Sequence, residues 1–370
     1  MTGDGVIVVV KIGTSSVTTP AGGIHAEPIS KLAGDVAAVR ELGHSVVLVT
    51  SGAVAVGVAA LTPGGTRPAD PVTLQALSSI GQHRLMAAYD AAFAALGLLA
   101  GQVLLAPPDF GHRQRYLHAR ETLLRLLELG VVPVVNENDA IADDEIRFGD
   151  NDRLAALVAH LVRADLLVLL TDTPGLFSAD PKLDDDATLI ESVFEIDHEL
   201  AAAAGGPASD SARGGMASKL VAAKMAAFSG VRTVIAAADR PAVLRDAVAG
   251  DPGVGTAFLP RRRSLPARKL WIAFARKPSG RLVVDEGARR ALIERGTSLL
   301  PAGVREVVGG FLEDDAVEVS GPDGIVFAKG IVRVGAARSA EWLGRRTFEL
   351  PADLPDEVIH RDDLVLLTDD

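Results

Sequence analysis

The chain has 370 residues, no cysteine, 48% hydrophobic and 23% charged residues, and a formal net charge of -11. Those values describe a folded protein with room for one large domain and one small one, and they exclude a disordered chain, disulfides and thiolate metal sites. They also disfavour a nucleic-acid coat or a membrane-surface protein, both of which work through basic patches. The opening MTGDGVIVVVKIG has no basic region leading into a long apolar stretch, and no apolar run reaches bilayer-spanning length, so a cytoplasmic protein with no membrane partner is expected.

In chain order, short apolar runs bounded by turn residues predict strands at 6–10, 46–49, 101–106, 131–135, 166–170 and 233–237. Near-continuous runs of this kind suit a parallel sheet buried on both faces. Between them, Ile29, Leu32, Val36 and Val39 mark one face of a helix over 28–42, and 119–129 and 153–163 read likewise. The first 260 residues are therefore expected to form an α/β domain, a mostly parallel sheet sandwiched by helices. Pro133 lies inside the 131–135 run and places that strand near an edge or a bulge. The polar, glycine-rich 205–215 reads as a functional loop within this domain.

Residues 261–268 read as a linker, within the basic, proline-bounded PRRRSLPARK (260–269). From 269 to 370, LWIAF, RLVVD, AVEVSG and GIVFAKGIVRV predict short strands of a compact, β-rich, barrel-like domain.

Ligands of open α/β sheets bind beyond the carboxyl ends of the strands. There the sequence places KIGTS with Lys11, Gly13, Thr14 and Ser15, then TSGA with Thr50, Ser51 and Gly52. NENDA follows with Asn136 and Asp139, and TDTPGLF with Thr171 and Asp172. Each segment alone could be an ordinary cap or turn; their convergence on one sheet edge marks a site. Asp150 or Asn151 could cap the helix over 153–163, and Asp152 would be favoured by its dipole. No Walker A pattern, G-x-G-x-x-G after the first strand or H-E-x-x-H is present, and the eight histidines read as structural or surface residues. Phosphate chemistry through glycine backbones and lysines remains, with Gly214 and Gly215 leading into a helix near Met216 and Lys219 adding a point charge.

The ordered set KIGTS, TSGA, NENDA, RFGDNDRLAALVA, LLTDTPGLFSADP and GGMASK resembles the glutamate 5-kinase family of the amino-acid kinase superfamily. The C-terminal stretches VDEGARRALIERGTSLLPAGV and HRDDLVLL resemble the PUA domain attached to many bacterial members. The resemblance implies ATP- and Mg²⁺-dependent phosphorylation of the γ-carboxylate of L-glutamate, as the first step of proline synthesis, with proline as feedback inhibitor and a homo-oligomer, dimer or tetramer. It implies that Lys11 and Lys219 flank the transferring phosphate and Asp152 orients them. It assigns Ser51, Gly52, Asn136, Asp139, Asp150 and Asn151 to glutamate. It gives Thr171, Asp172, Arg213, Gly214, Gly215, Met216, Ala217, Ser218 and Lys219, together with Lys11, to ATP, and it assigns no residue to the metal. Arg213 departs from the small residue usual there. A carboxylate is already ionised at neutral pH and needs no general base, which agrees with the lack of a catalytic histidine. Two other readings stay open: an acetylglutamate or aspartate kinase, and an RNA-binding factor acting through the C-terminal domain with Arg261 to Arg263.

Overall fold

The structure is a computed structural model and describes residues 5–62, 64–141, 151–179, 184, 186–194, 215–261, 264–345, 349 and 355–367. Two compact units divide between Ser264 and Leu265, inside the PRRRSLPARK segment.

The first unit is built on the strands β1 (Ile7–Ile12), β2 (Ser45–Val49), β3 (Ala100–Leu105), β4 (Val132–Glu137), β5 (Leu166–Thr171), β6 (Ser192–Val193), β7 (Arg232–Ala237) and β8 (Thr256–Phe258). Their order across the sheet is β3-β4-β2-β1-β5-β7-β8-β6, and all pairings are parallel except β7 with β8. The α/β class with a mostly parallel sheet is thus as the run pattern predicts. The short strands β6 and β8 are additions that no long apolar run announces.

The helices of this unit are α1 (Thr14–Val17), α2 (Ala26–Glu41), α3 (Ala53–Leu61), α4 (Pro71–Ala94), α5 (Arg113–Glu128), α6 (Asn151–Val162), α7 (Met216–Phe228) and α8 (Val243–Ala249). Alternation along β1 decides which layer each side chain meets. Val8, Val10 and Ile12 join a core with Ile29, Val36, Leu85, Tyr89 and Leu244, from α2, α4 and α8. Val9 and Lys11 project from the opposite face, where α6 and α7 pack together and α6 lies against β1 and β5. Almost every residue of α6 is buried, as in a helix closed on all sides, so the polar pair at its start is buried with it.

Two details correct the sequence reading. Pro133 sits neither at an edge nor in a bulge: β4 lies between β3 and β2. Its pairing with β2 begins only at Val134, opposite Leu48, so the missing N–H falls where that ladder has not started. Helix α6 starts at Asn151, so Asn151 is its first residue and not its cap. The long helix α4, which the sequence reading assigned no element, starts at Pro71 with Asp70 capping the Thr73 N–H at 2.8 Å. Helices α3 and α4 meet backbone to backbone: a Cβ on Gly81 would lie 1.8 Å from the Ala53 carbonyl oxygen, and one on Gly57 1.9 Å from that of Leu77. Only glycine allows this approach.

The second unit carries a separate five-stranded sheet, β9 (Gly280–Val284), β10 (Val304–Gly309), β11 (Ala316–Ser320), β12 (Val326–Ile331) and β13 (Leu364–Leu366), in the order β10-β9-β11-β12-β13. Its helices are α9 (Ala267–Leu270), α10 (Glu286–Arg295) and α11 (Ala336–Glu341). RLVVD, AVEVSG and GIVFAKGIVRV contribute strands as expected. LWIAF does not: α9 runs on into a π-helical turn over Trp271–Ala275. Five apolar residues in a row cannot be told apart as strand or buried helix by periodicity.

Candidate active site

The four strands whose ends carry the polar segments are consecutive in the sheet, β4-β2-β1-β5. The chain builds outward from β1 through β2, and later returns to the other side of β1 as β5. That reversal is where open α/β sheets bind ligands. A cleft of about 670 Å³ opens there, lined by Lys11, the turn and helix Gly13–Ser16, Ser51, Thr171, Asp172, Gly215, Met216 and Lys219.

Asp152 lies at its base and is fully buried. Lys11 Nζ is 2.5 Å from Asp152 Oδ1, and Lys219 Nζ is 3.3 Å from Oδ2. The Ser218 hydroxyl donates to the same Oδ2 at 2.6 Å. Burial alone would push this carboxyl up. The charges of Lys11 and then Lys219, with hydrogen bonds from Lys11 and Ser218, outweigh burial and hold it below the usual carboxylate range. One carboxylate therefore fixes two ammonium groups that reach it from a strand end and from a helix start.

Beside this cluster runs a neutral network. Asn151 Nδ2 donates to the Thr50 carbonyl at 2.5 Å and to Asn136 Oδ1 at 2.6 Å, and Asn136 Nδ2 donates to Gln82 Oε1 at 2.7 Å. Asp139 accepts from the Ser78 hydroxyl at 2.8 Å. Burial pushes the Asp139 carboxyl up, against the hydrogen bond from Ser78 and the charge of Arg67. Asn151 and Asp152, adjacent on α6, join the amide network to the lysine cluster.

A family model described as the amino acid kinase family matches residues 6–237, and a PUA domain model matches 280–349. The glutamate 5-kinase of Trichlorobacter lovleyi is 44% identical over 365 residues, covering 98% of this chain and 96% of that one. Those of Geobacter metallireducens and Mycobacterium avium are 46% and 45% identical, over 97% and 96% of each chain. The chain belongs to the glutamate 5-kinase family.

For a glutamate 5-kinase relative, the structure gathers Lys11, Ser51, Thr171, Asp172, Gly215, Met216 and Lys219 around one cleft, with Asp152 and Ser218 beneath it. Asn136 and Asn151 meet in the amide network, and Asp139 lies with Ser78. Gly52 adopts φ +108° at the start of α3, and Ala217 lies in the first turn of α7; neither lines the cleft. Asp150, Arg213 and Gly214, with the rest of the 205–214 loop, lie outside the described residues. The sequence reading missed Gln82 and Ser78. Their signal is a polar pair four apart on the buried face of α4, among Leu74, Leu77, Gly81, Leu85 and Tyr89.

Among the described residues no histidine lines the cleft. His160, on α6, is lowered to about 4 by burial and the charge of Arg163, and it packs against Tyr116. Arg261, part of the basic cluster that motivated an RNA-binding reading, stacks 3.5 Å over the Phe228 ring within the first unit.

Proposed function

We propose that this protein phosphorylates the γ-carboxylate of L-glutamate with ATP, giving γ-glutamyl phosphate and ADP and opening proline synthesis. The observation that carries the reading is the Lys11–Asp152–Lys219 cluster at the base of the cleft, in a chain whose relatives are glutamate 5-kinases. A γ-carboxylate oxygen bonds to the γ-phosphorus of ATP while the bond to the β,γ-bridging oxygen breaks, and ADP leaves with that electron pair. The nucleophile is ionised at neutral pH, so the barrier lies in bringing two anions together. Two ammonium groups held on one carboxylate offset that repulsion and stabilise charge on the phosphoryl group in flight.

The roles of individual residues follow the same reading. Gly13–Ser16, Thr171, Asp172 and the start of α7 at Gly215–Lys219 face the nucleotide, since free backbone N–H groups at a helix start suit phosphates. Ser51, Asn136, Asp139 and Asn151 face glutamate. A resident metal finds no fit: among the described residues no three His, Asp or Glu side chains converge, and Asp152 is committed to two lysines and Ser218. Magnesium belongs to this reading as the companion of the ATP phosphates, a part of the substrate. L-Proline as inhibitor and a homo-oligomer, dimer or tetramer, are proposed on family membership alone. A cytoplasmic location is likewise proposed on family membership; among the described residues no helix is long and apolar enough to cross a membrane.

The test is direct. The protein is incubated with ATP, Mg²⁺ and hydroxylamine plus L-glutamate, aspartate or N-acetylglutamate. γ-Glutamyl hydroxamate from glutamate alone is the expected result. Hydroxamate only from aspartate or N-acetylglutamate would reassign the substrate, and none from any of the three would overturn the reading.

A further inference from the structure

The amide network has a polarity that two backbone groups dictate. The Thr50 carbonyl can only accept, so the Asn151 atom 2.5 Å from it is nitrogen. The Glu137 N–H can only donate, so the Asn136 atom 2.9 Å from it is oxygen. Asn136 therefore turns its nitrogen to Gln82, whose facing atom must be Oε1. Once these are set, Asn151 Oδ1 is a buried acceptor with no hydrogen-bond partner among the described residues, and Gln82 Nε2 is a buried donor in the same condition. Buried polar atoms in such a state are rare and costly in a folded protein.

We infer that Gln82 is a positioning residue that clamps the amide network whose polarity those two backbone groups set, so that Asn151 presents an acceptor oxygen to the ammonium group of the amino acid. The inference rests on the glutamate reading given above. Gln82 touches no reacting atom. It acts through Asn136, whose side chain is clamped between Gln82 Oε1, Asn151 Nδ2 and the Glu137 N–H. Without an acceptor at position 82, the Asn136 nitrogen is left buried and unpaired, Asn136 is held through its oxygen alone, and the clamp on Asn151 loosens. The loss should fall on recognition of the ammonium group and spare the nucleotide, since Gln82 lies on α4 and the cleft lining around Gly215 and Thr171 does not include it.

The experiment compares glutamate with glutarate, the same dicarboxylate without its ammonium group. KM for glutamate, KM for ATP and the inhibition constant of glutarate are measured for the parent protein, Gln82→Met and Gln82→Glu. Methionine keeps the bulk and removes the acceptor; glutamate keeps an acceptor oxygen whether or not it is ionised. In Gln82→Met, KM for glutamate should rise about tenfold, the size expected for one buried polar group left unpaired. The glutarate constant and KM for ATP should stay within about twofold. Gln82→Glu should restore most of the glutamate preference. Parallel losses for glutamate and glutarate, an unchanged preference in Gln82→Met, or a Gln82→Glu protein as poor as Gln82→Met would each overturn the inference. A parent protein with no turnover of glutamate would overturn the glutamate reading first and this inference with it.

Discussion

Both units of the molecule bury lysines, and the partners they are given differ in kind. Lys11 and Lys219 share one carboxylate at the floor of a cleft, and the three groups together sum to one positive charge. Lys329, in β12 of the second unit, is also buried, but its ammonium group is held by the carbonyls of Ala273, at 3.1 Å, and Arg276. Those carbonyls close the C-terminal end of the α9 and π-helical segment, where the partial negative charge of a helix gathers and a cation is favoured. A buried lysine held by carbonyl dipoles ends a helix. Two buried lysines on one aspartate, at the carboxyl ends of parallel strands, keep charge ready for an anion. Burial alone does not distinguish a working lysine from a structural one; its place in the fold, at the floor of a cleft or at the end of a helix, does.

The sharpest way to break this contrast is Lys219→Ala. If Lys219 stabilises charge on the transferring phosphoryl group, its loss should lower kcat by about 10²–10³, the usual cost of one donor to a developing oxyanion. KM for glutamate should change by no more than about threefold. Steady-state hydroxamate kinetics separates the two constants. Near-normal turnover would remove Lys219 from the transition state and place it with Lys329 among structural lysines.

A smaller effect is expected at Asp139, where the sign of a pH dependence is informative. For Asp152 the folded pKa is depressed, so its contribution to stability is present above the unfolded value of about 3.9 and is lost as pH falls through the folded pKa. For Asp139 the folded pKa is raised, chiefly by burial. Its contribution is complete below about 3.9 and is lost as pH rises through the folded value. At neutral pH the empty protein therefore holds an acid under strain, which a substrate ammonium group would relieve. Asp139→Asn should raise the melting temperature of the free protein at pH 7, with the advantage shrinking toward pH 4. It should also raise KM for glutamate about tenfold, the scale of one hydrogen bond to a charged group. Thermal scans at both pH values, with and without glutamate, read both effects. A variant less stable than the parent at pH 7 would show that Asp139 is satisfied without substrate.

Much of this was legible before the structure. Six strands, the parallel sheet and the gathering of Lys11, Ser51 and Thr171 follow from local signals, since apolar runs mark buried parallel strands and polar residues after them mark one sheet edge; the meeting of Asp152 with Lys11 and Lys219 came from the family resemblance. Local signals fail where a long-range partner decides. Pro133 is tolerated inside the sheet because the pairing of β4 with β2 begins only at Val134, which no property of residues 131–135 reveals. Asn151 was one of two candidate caps, with Asp150, because Asn and Asp commonly cap helices. Its nitrogen is instead drawn to Thr50 and Asn136, 101 and 15 residues away. Gln82 and Ser78 were passed over because a helix face holding glycine, glutamine and serine among leucines carries little amphipathic contrast. LWIAF looked like a strand because five apolar residues fit either a strand or a buried helical turn.

The mildest prediction tests the other side of the opening contrast. Lys329→Met keeps an unbranched apolar stem in the core of the second unit and removes only the ammonium group. The carbonyls of Ala273 and Arg276 then lose a donor, which should cost about 1–3 kcal/mol of stability, the penalty for buried acceptors left unpaired. Removing a buried charge also removes its desolvation cost, so the low end of that range is expected. Chemical denaturation of the full chain should show the loss in a transition assignable to the second unit, while kcat and KM for glutamate stay at parental values. A fall in kcat comparable to that of Lys219→Ala would mean that Lys329 reports to the active site. The contrast between a lysine that ends a helix and lysines that hold a phosphoryl group would then collapse.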